Sequence, residues 1–226
     1  MSNLVWRRLH WWLSLLLSLQ LLAWFGSGLL MSAFPIEQVR GNDHRQAWPT
    51  ANWHNATLSP QQLQAQAPVQ TLELTQQQQT PLYHIIDAAG ERWVNAQTGA
   101  TLAPLSAAQA TQLALSQYRG SHQVVSTQQL HEVPSEARGL IAPLFQVNFA
   151  DNTSFYLHSV TGQLLRVRTE LWRTYDVAWM LHIMDYDSRD NSHNPLVIGF
   201  SLTALLFTLT GIMLLVQTKR RHTRIR

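Results

Sequence analysis

Hydrophobic and polar positions divide the chain into three zones. From Trp11 to Ile36 no side chain is charged (WWLSLLLSLQLLAWFGSGLLMSAFPI). From Asn191 to Thr218 none is charged apart from the titratable His193 (NSHNPLVIGFSLTALLFTLTGIMLLVQT). A helix needs about 20 apolar residues to cross a hydrocarbon core of about 30 Å. The pattern therefore predicts membrane spans over 9–36 and 193–218. Residues 37–80 form a polar connector. Its Gln-rich stretches, QQLQAQAPVQ and LTQQQQT, read as extended linker or marginal helix. A helix start is predicted at Ser59, with Pro60 in the first turn.

Between 81 and 169 the chain repeats itself. PLYHIIDAAGERWVNAQTGATL (81–102) matches PLFQVNFADNTSFYLHSVTGQLL (143–165), with one residue inserted in the second copy. Pro81/Pro143, Leu82/Leu144, Tyr83/Phe145, Trp93/Phe155, Thr98/Thr161 and Gly99/Gly162 correspond. Each copy predicts strand, tight turn, strand, then a Thr-Gly turn into a third short strand. Gly90 and Asn152 supply the positive φ that hairpin turns require. Between the copies, 105–118 predicts a helix capped by Ser106, with Ala110, Leu113, Ala114 and Tyr118 on one apolar face. The expected fold is α+β, with a helix on one sheet face.

Residues 170–190 predict an interfacial helix and turn. Leu171, Tyr175, Trp179, His182 and Tyr186 recur at helical spacing and form an aromatic stripe. Asp187 to Asn194 is a polar turn, and Pro195 opens the second span.

Charge then orients the layout. Arg7 and Arg8 precede the first span, and Lys219, Arg220, Arg221, Arg224 and Arg226 follow the second. All 13 acidic residues lie between the spans. Cytoplasmic flanks are enriched in Lys and Arg, so both termini are expected inside and residues 37–190 outside. The net charge of +3 reflects these tails and does not indicate a nucleic-acid surface. The first apolar run exceeds the 7–15 residues of a signal-peptide core, so it reads as a retained span. The chain has no Cys, which excludes disulfides and thiolate metal sites.

The repeated strand–strand–Thr-Gly unit resembles the PepSY domain. RRLHWWLSLLLSLQLLAWFGSGLL and LHIMDYDSRDNSHNPLVIGFSLTALLFTLTGIMLL resemble the transmembrane helices associated with it. The resemblance covers nearly the whole chain. It implies a bacterial inner-membrane protein with a periplasmic PepSY-like domain at 81–169 and a basic cytoplasmic tail at 219–226. Larger members resemble ferric-siderophore reductases carrying haem b on histidines. A compact two-span subgroup is similar to ferric reductases that supply ferrous iron for uptake. With only two spans, a complete haem site implies a homodimer.

Three of the ten His are candidate haem ligands: His182 on the aromatic stripe, His44 just after the first span, and His10 at its inner boundary. A neutral imidazole is the usual axial haem ligand. His44 and His182 are expected near the outer face, where they would share one haem. His10 lies roughly 35 Å away in depth, at 1.5 Å per residue, and would pair with His222 or with a second copy. His44, His182 and Asp185, the last with Asp187 and Asp190, are candidate iron ligands, since carboxylates are hard oxygen donors. His84, His122, His131 and His158 read as surface or turn residues, and His54 and His193 as loop residues. Gly26, Gly28 and Gly211 would let helices pack closely.

No hydrolase, P-loop or dinucleotide fingerprint appears. No NAD, flavin or nucleotide site is expected, so electrons would come from a membrane quinol or a redox protein. The leading expectation is a haem-b ferric reductase acting on ferric iron or a chelate, upstream of a ferrous iron transporter. The alternatives are a non-catalytic, membrane-anchored PepSY binding module and an accessory subunit of a metal transporter.

Overall fold

The computed structural model describes residues 3–64 and 68–225. Its helices are α1 (Asn3–Ala33), α2 (Ile36–Val39), α3 (Pro60–Gln64), α4 (Ala107–Gln117), α5 (Glu170–Ile183) and α6 (Pro195–Ile225). Its strands are β1 (Val69–Gln77), β2 (Thr80–Asp87), β3 (Gly90–Asn95), β4 (Val124–Leu130), β5 (Leu144–Phe149), β6 (Ser154–His158) and β7 (Leu164–Arg168). The chain divides into a helical unit, Met1–Pro35 with Arg173–Arg226, and a unit covering Ile36–Trp172.

In the helical unit, α1 and α6 are long and apolar enough to cross a membrane over Leu4–Ala33 and Pro195–Thr218. Their apolar side chains mostly face outward: Leu19 is 80% exposed and Leu215 72%. A water-soluble protein would not leave such stretches uncovered, whereas a bilayer covers them. Pro195 begins α6 as expected, and Asn194 caps it by accepting from the Val197 N–H. The predicted aromatic helix is shorter than its stripe. It stops at Ile183, where Met184 takes a left-handed φ of 54°, and this leaves Tyr186 in the following loop.

The unit 36–172 is α+β. Its antiparallel sheets run in the orders β1-β2-β3 and β4-β5-β6-β7. The internal repeat is larger than the sequence match. Each half is a short helix, a strand, and then the repeated hairpin. Both helices start with the same cap: Ser59 with Gln62, and Ser106 with Gln109, exchange side-chain and backbone bonds. Each capping residue satisfies an N–H that the helix leaves orphaned. Ala110, Leu113, Ala114 and Tyr118 are buried, so the expected face of α4 is the one packed on the second sheet. Phe145, Phe149 and Phe155 complete that core. Burial of each such ring stabilises the fold by about 1.5–3 kcal/mol.

Two expectations change here. The connector 37–80 is not all linker, because LTQQQQT belongs to the β1–β2 hairpin. Val69 and Leu72 pack on the first core, and the Gln77 amide donates to Val160 O and Thr161 O. Residues 65–67 of the Gln-rich stretch lie outside the described residues. The third strand is complete only in the second copy as β7; in the first copy it shrinks to a single bridge, Val94 with Thr101. The turns form as predicted, with Gly90 at φ 119° and Asn152 at φ 62°.

Candidate functional site

His182 sits in the last turn of α5, whose neighbour in the helical unit is α1. Its Nδ1 is 3.0 Å from the Ser27 hydroxyl. A Cβ added to Gly28 would lie 3.6 Å from its Cε1, so glycine lets the ring lie against the α1 backbone. The Gln20 amide donates to Leu181 O at 3.3 Å, a second tie between α1 and α5.

His10 repeats this arrangement at the other end of the spans. It projects from α1 onto α6, with Nδ1 2.8 Å from the Thr210 hydroxyl. A Cβ on Gly211 would lie 3.3 Å from its Cε1. The ring stacks on Phe207 with centroids 4.4 Å apart. Both cradles therefore share one sequence, an aromatic residue, two spacers, a hydroxyl residue and glycine: Trp24-x-x-Ser27-Gly28 and Phe207-x-x-Thr210-Gly211. Positions i, i+3 and i+4 lie on one helix face, which puts each aromatic ring on the same side as its cradle.

The hydroxyl contacts favour one tautomer. A hydroxyl carries a single proton. Ser27 donates it to Trp24 O at 3.1 Å, and Thr210 donates it to Phe207 O at 2.7 Å. With the proton directed to the carbonyl, each hydroxyl accepts from its imidazole and Nδ1 bears the ring proton. Neutral His10 and His182 then carry their lone pair on Nε2. A hydrogen bond at one ring nitrogen, leaving the other to bind, is how proteins orient a metal-ligating imidazole. The Trp24 indole N–H is buried and unbonded among the described residues.

The two imidazoles do not meet. His10 and Ser27 stand roughly 25 Å apart along α1, at 1.5 Å per residue. The side chain of His222, a candidate partner for His10, lies outside the described residues. His44 belongs to the unit 36–172. Its Nδ1 faces the Thr153 hydroxyl at 3.4 Å and the Asp151 carboxylate at 3.7 Å. Tyr118 donates to the same carboxylate at 2.7 Å, and burial together with that charge pushes the Tyr118 hydroxyl up to about 12.

Asp185 is occupied by its own loop. Its two oxygens accept from the N–H groups of Asp187, Ser188, Asp190 and Asn191 and from the Ser188 hydroxyl. These bonds, the Ser188 one foremost, hold its carboxyl well below the usual range. The loop is tied again where Arg189 pairs with buried Asp176 at 2.6 Å and the Trp179 indole donates to Arg189 O. An iron ion on Asp185 would have to displace most of these bonds. Asp187 and Asp190 face solvent, and among the described residues no three His, Asp or Glu side chains converge to hold a metal ion.

His158 is a turn residue with a defined role. Its Nδ1 accepts from the Val160 and Thr161 N–H groups at 3.2 Å each. In the first repeat Asn95 Oδ1 accepts from Gln97 and Thr98 in the same way. His158 also meets Trp93 edge-on, while His84 stacks on Trp93 and pairs with Glu91 at 2.7 Å.

The sequence reading missed Ser27, Thr210, Phe207 and Trp24 as parts of the site. The available signal was the likeness of FGSGLL to LTGIML, each with a hydroxyl residue directly before glycine. Comparison of the chain with family models, with curated proteins and with solved structures gives no match.

Proposed function

We propose that the chain is a PepSY-type ferric reductase of a bacterial inner membrane, with haem b held on His182 and on His10. The observation that carries this reading is the duplicated cradle. Two imidazoles, one toward each end of the spans, have Nδ1 fixed by a hydroxyl and Nε2 left with its lone pair. The apolar surroundings and the orphaned Trp24 N–H suit a flat cofactor with polar edges. When bound, haem b supplies one-electron transfer from a donor such as a membrane quinol to ferric iron or its chelate outside.

Ser27 and Thr210 orient the rings and set their basicity; Gly28 and Gly211 make room for them. Each site needs a second imidazole, which a second copy of the chain would supply. This favours a homodimer, since a two-fold axis normal to the membrane brings equivalent residues to equal depth. The arginine-rich flanks favour cytoplasmic termini, with 37–190 in the periplasm. The ferrous product would then be released for a separate transporter.

The test is the absorption spectrum of the purified full chain, oxidised and then dithionite-reduced, with ferric reduction assayed alongside. A Soret band that shifts on reduction, and that is lost in His182→Ala with His10→Ala, is the expected result. A colourless protein that copurifies with no haem would sink the reading and favour a non-catalytic anchored module.

A further inference from the structure

The unit 36–172 contains a cleft of about 550 Å³ between the segment after α2 and the junction of the two repeats. Arg45, Trp48, Thr75, Gln76, Gln117 and Gln163 line it. Several of these groups are committed to holding its walls. Gln76 accepts from Ala51 N–H and donates to Pro49 O and Gln78 O. Buried Gln117 donates to Leu113 O and Gly162 O and accepts from Leu164 N–H. The Trp48 indole donates to the Ser116 hydroxyl at 2.9 Å. The cleft is thus a braced structure, pre-organised for a ligand.

The groups left over have one character. The Arg45 guanidinium, the Thr75 hydroxyl and the Gln163 amide make no side-chain hydrogen bond or ion pair among the described residues. Arg45 is the only charged side chain on the lining, and no carboxylate opposes it. We propose that this cleft binds a small, oxygen-rich anion of the polycarboxylate class, with Arg45 as the charged anchor. A guanidinium pairs a carboxylate through two parallel hydrogen bonds, and Gln163 and Thr75 add neutral donors. The Trp48 ring forms the apolar wall. The volume falls within the range of small-molecule sites and exceeds what a lone carboxylate fills. The ligand is either a free polycarboxylic acid or its ferric chelate; the ferric form rests on the reductase reading above.

Equilibrium binding to the full chain in detergent, without any electron donor, tests this by calorimetry or tryptophan quenching. The probes are citrate, ferric citrate and a neutral ferric trihydroxamate. Saturable binding of citrate or ferric citrate is expected, with Kd raised about tenfold or more in Arg45→Glu, as for loss of a charge-assisted bond. Gln163→Trp, which fills the cleft, should abolish binding. The neutral trihydroxamate should not bind. Binding of ferric citrate alone identifies the chelate as the ligand; equal binding of citrate identifies the acid. An unchanged Kd in Arg45→Glu, or no saturable binding of either carboxylate to the wild type, overturns the proposal. Arg45 meets Tyr118 through its backbone, and the Gln163 side chain makes no hydrogen bond among the described residues, so both variants should keep the wild-type unfolding temperature. Because binding is read without electrons, a protein that lacks haem fails the reductase reading and leaves this measurement intact.

Discussion

The His182 imidazole on α5 sets its Nδ1 3.0 Å from the Ser27 hydroxyl on α1, which also reaches Trp24 O at 3.1 Å. This bond decides which ring nitrogen is left to bind. Removal of the ring and removal of its orienting partner should therefore have different effects. His182→Ala should lose its share of haem and most ferric reduction while the protein still inserts. Ser27→Ala should keep haem but bind it about 10–100-fold more weakly, as for other groups that orient a ligand. A haem titration and the reduced spectrum measure both. Wild-type haem content and reduction rate in His182→Ala would refute the assignment.

His10 and Thr210 repeat the relationship at 2.8 Å. Thr210→Val keeps the shape of the side chain and removes the hydroxyl, so the His10 ring loses its fixed orientation. The expected outcome is a partial loss of haem in Thr210→Val and loss of about half in His10→Ala. Full haem content in His10→Ala would confine the cofactor to the His182 end.

Asp185 separates a structural role from an iron-binding one. With its oxygens committed to the 187–191 backbone and to Ser188, Asp185→Ala should open that loop. Limited proteolysis should cut faster between 184 and 194, with haem retained. If iron affinity falls while the cleavage pattern stays that of the wild type, the carboxylate serves iron instead.

His158 gives the domain a pH dependence. Burial lowers its proton affinity below the usual 6.5, with Glu91 opposing and His84 reinforcing that shift. Protonation at Nδ1 would also break its two bonds to Val160 and Thr161. The unfolded chain therefore binds this proton more readily than the folded one. Stability is full above about pH 6.5 and falls as pH drops below it. Asn does the same task at position 95 without titrating, so His158→Asn should keep the turn and flatten the slope. Unfolding temperatures across pH 5–8 check this, and haem content should not change.

The proposed orientation rests on the flanking charges. A phosphatase fused after Thr80 should be active, and one fused after Arg226 inactive. The reverse pattern would invert the proposed topology and place the cleft at Arg45 in the cytoplasm.

What was legible in the chain was local. The spans follow from uncharged length, the turns from Gly90 and Asn152, and the α4 face from spacing alone. Each depends on neighbours a few residues away. β1 was hidden because an edge strand with one wet face tolerates Gln at most positions; only pairing with β2 reveals that Val69 and Leu72 face a core. The role of His158 was equally hidden, since nothing local says which ring nitrogen meets a turn.

By itself the sequence determined two apolar spans around a duplicated α+β unit, because hydrophobicity and turn chemistry act over short range. Only the tertiary structure decided that Ser27 and Thr210 serve the histidines and not just helix packing. Each hydroxyl lies more than 150 residues from its imidazole, and only the packing of α5 and α6 against α1 brings them within hydrogen-bond reach.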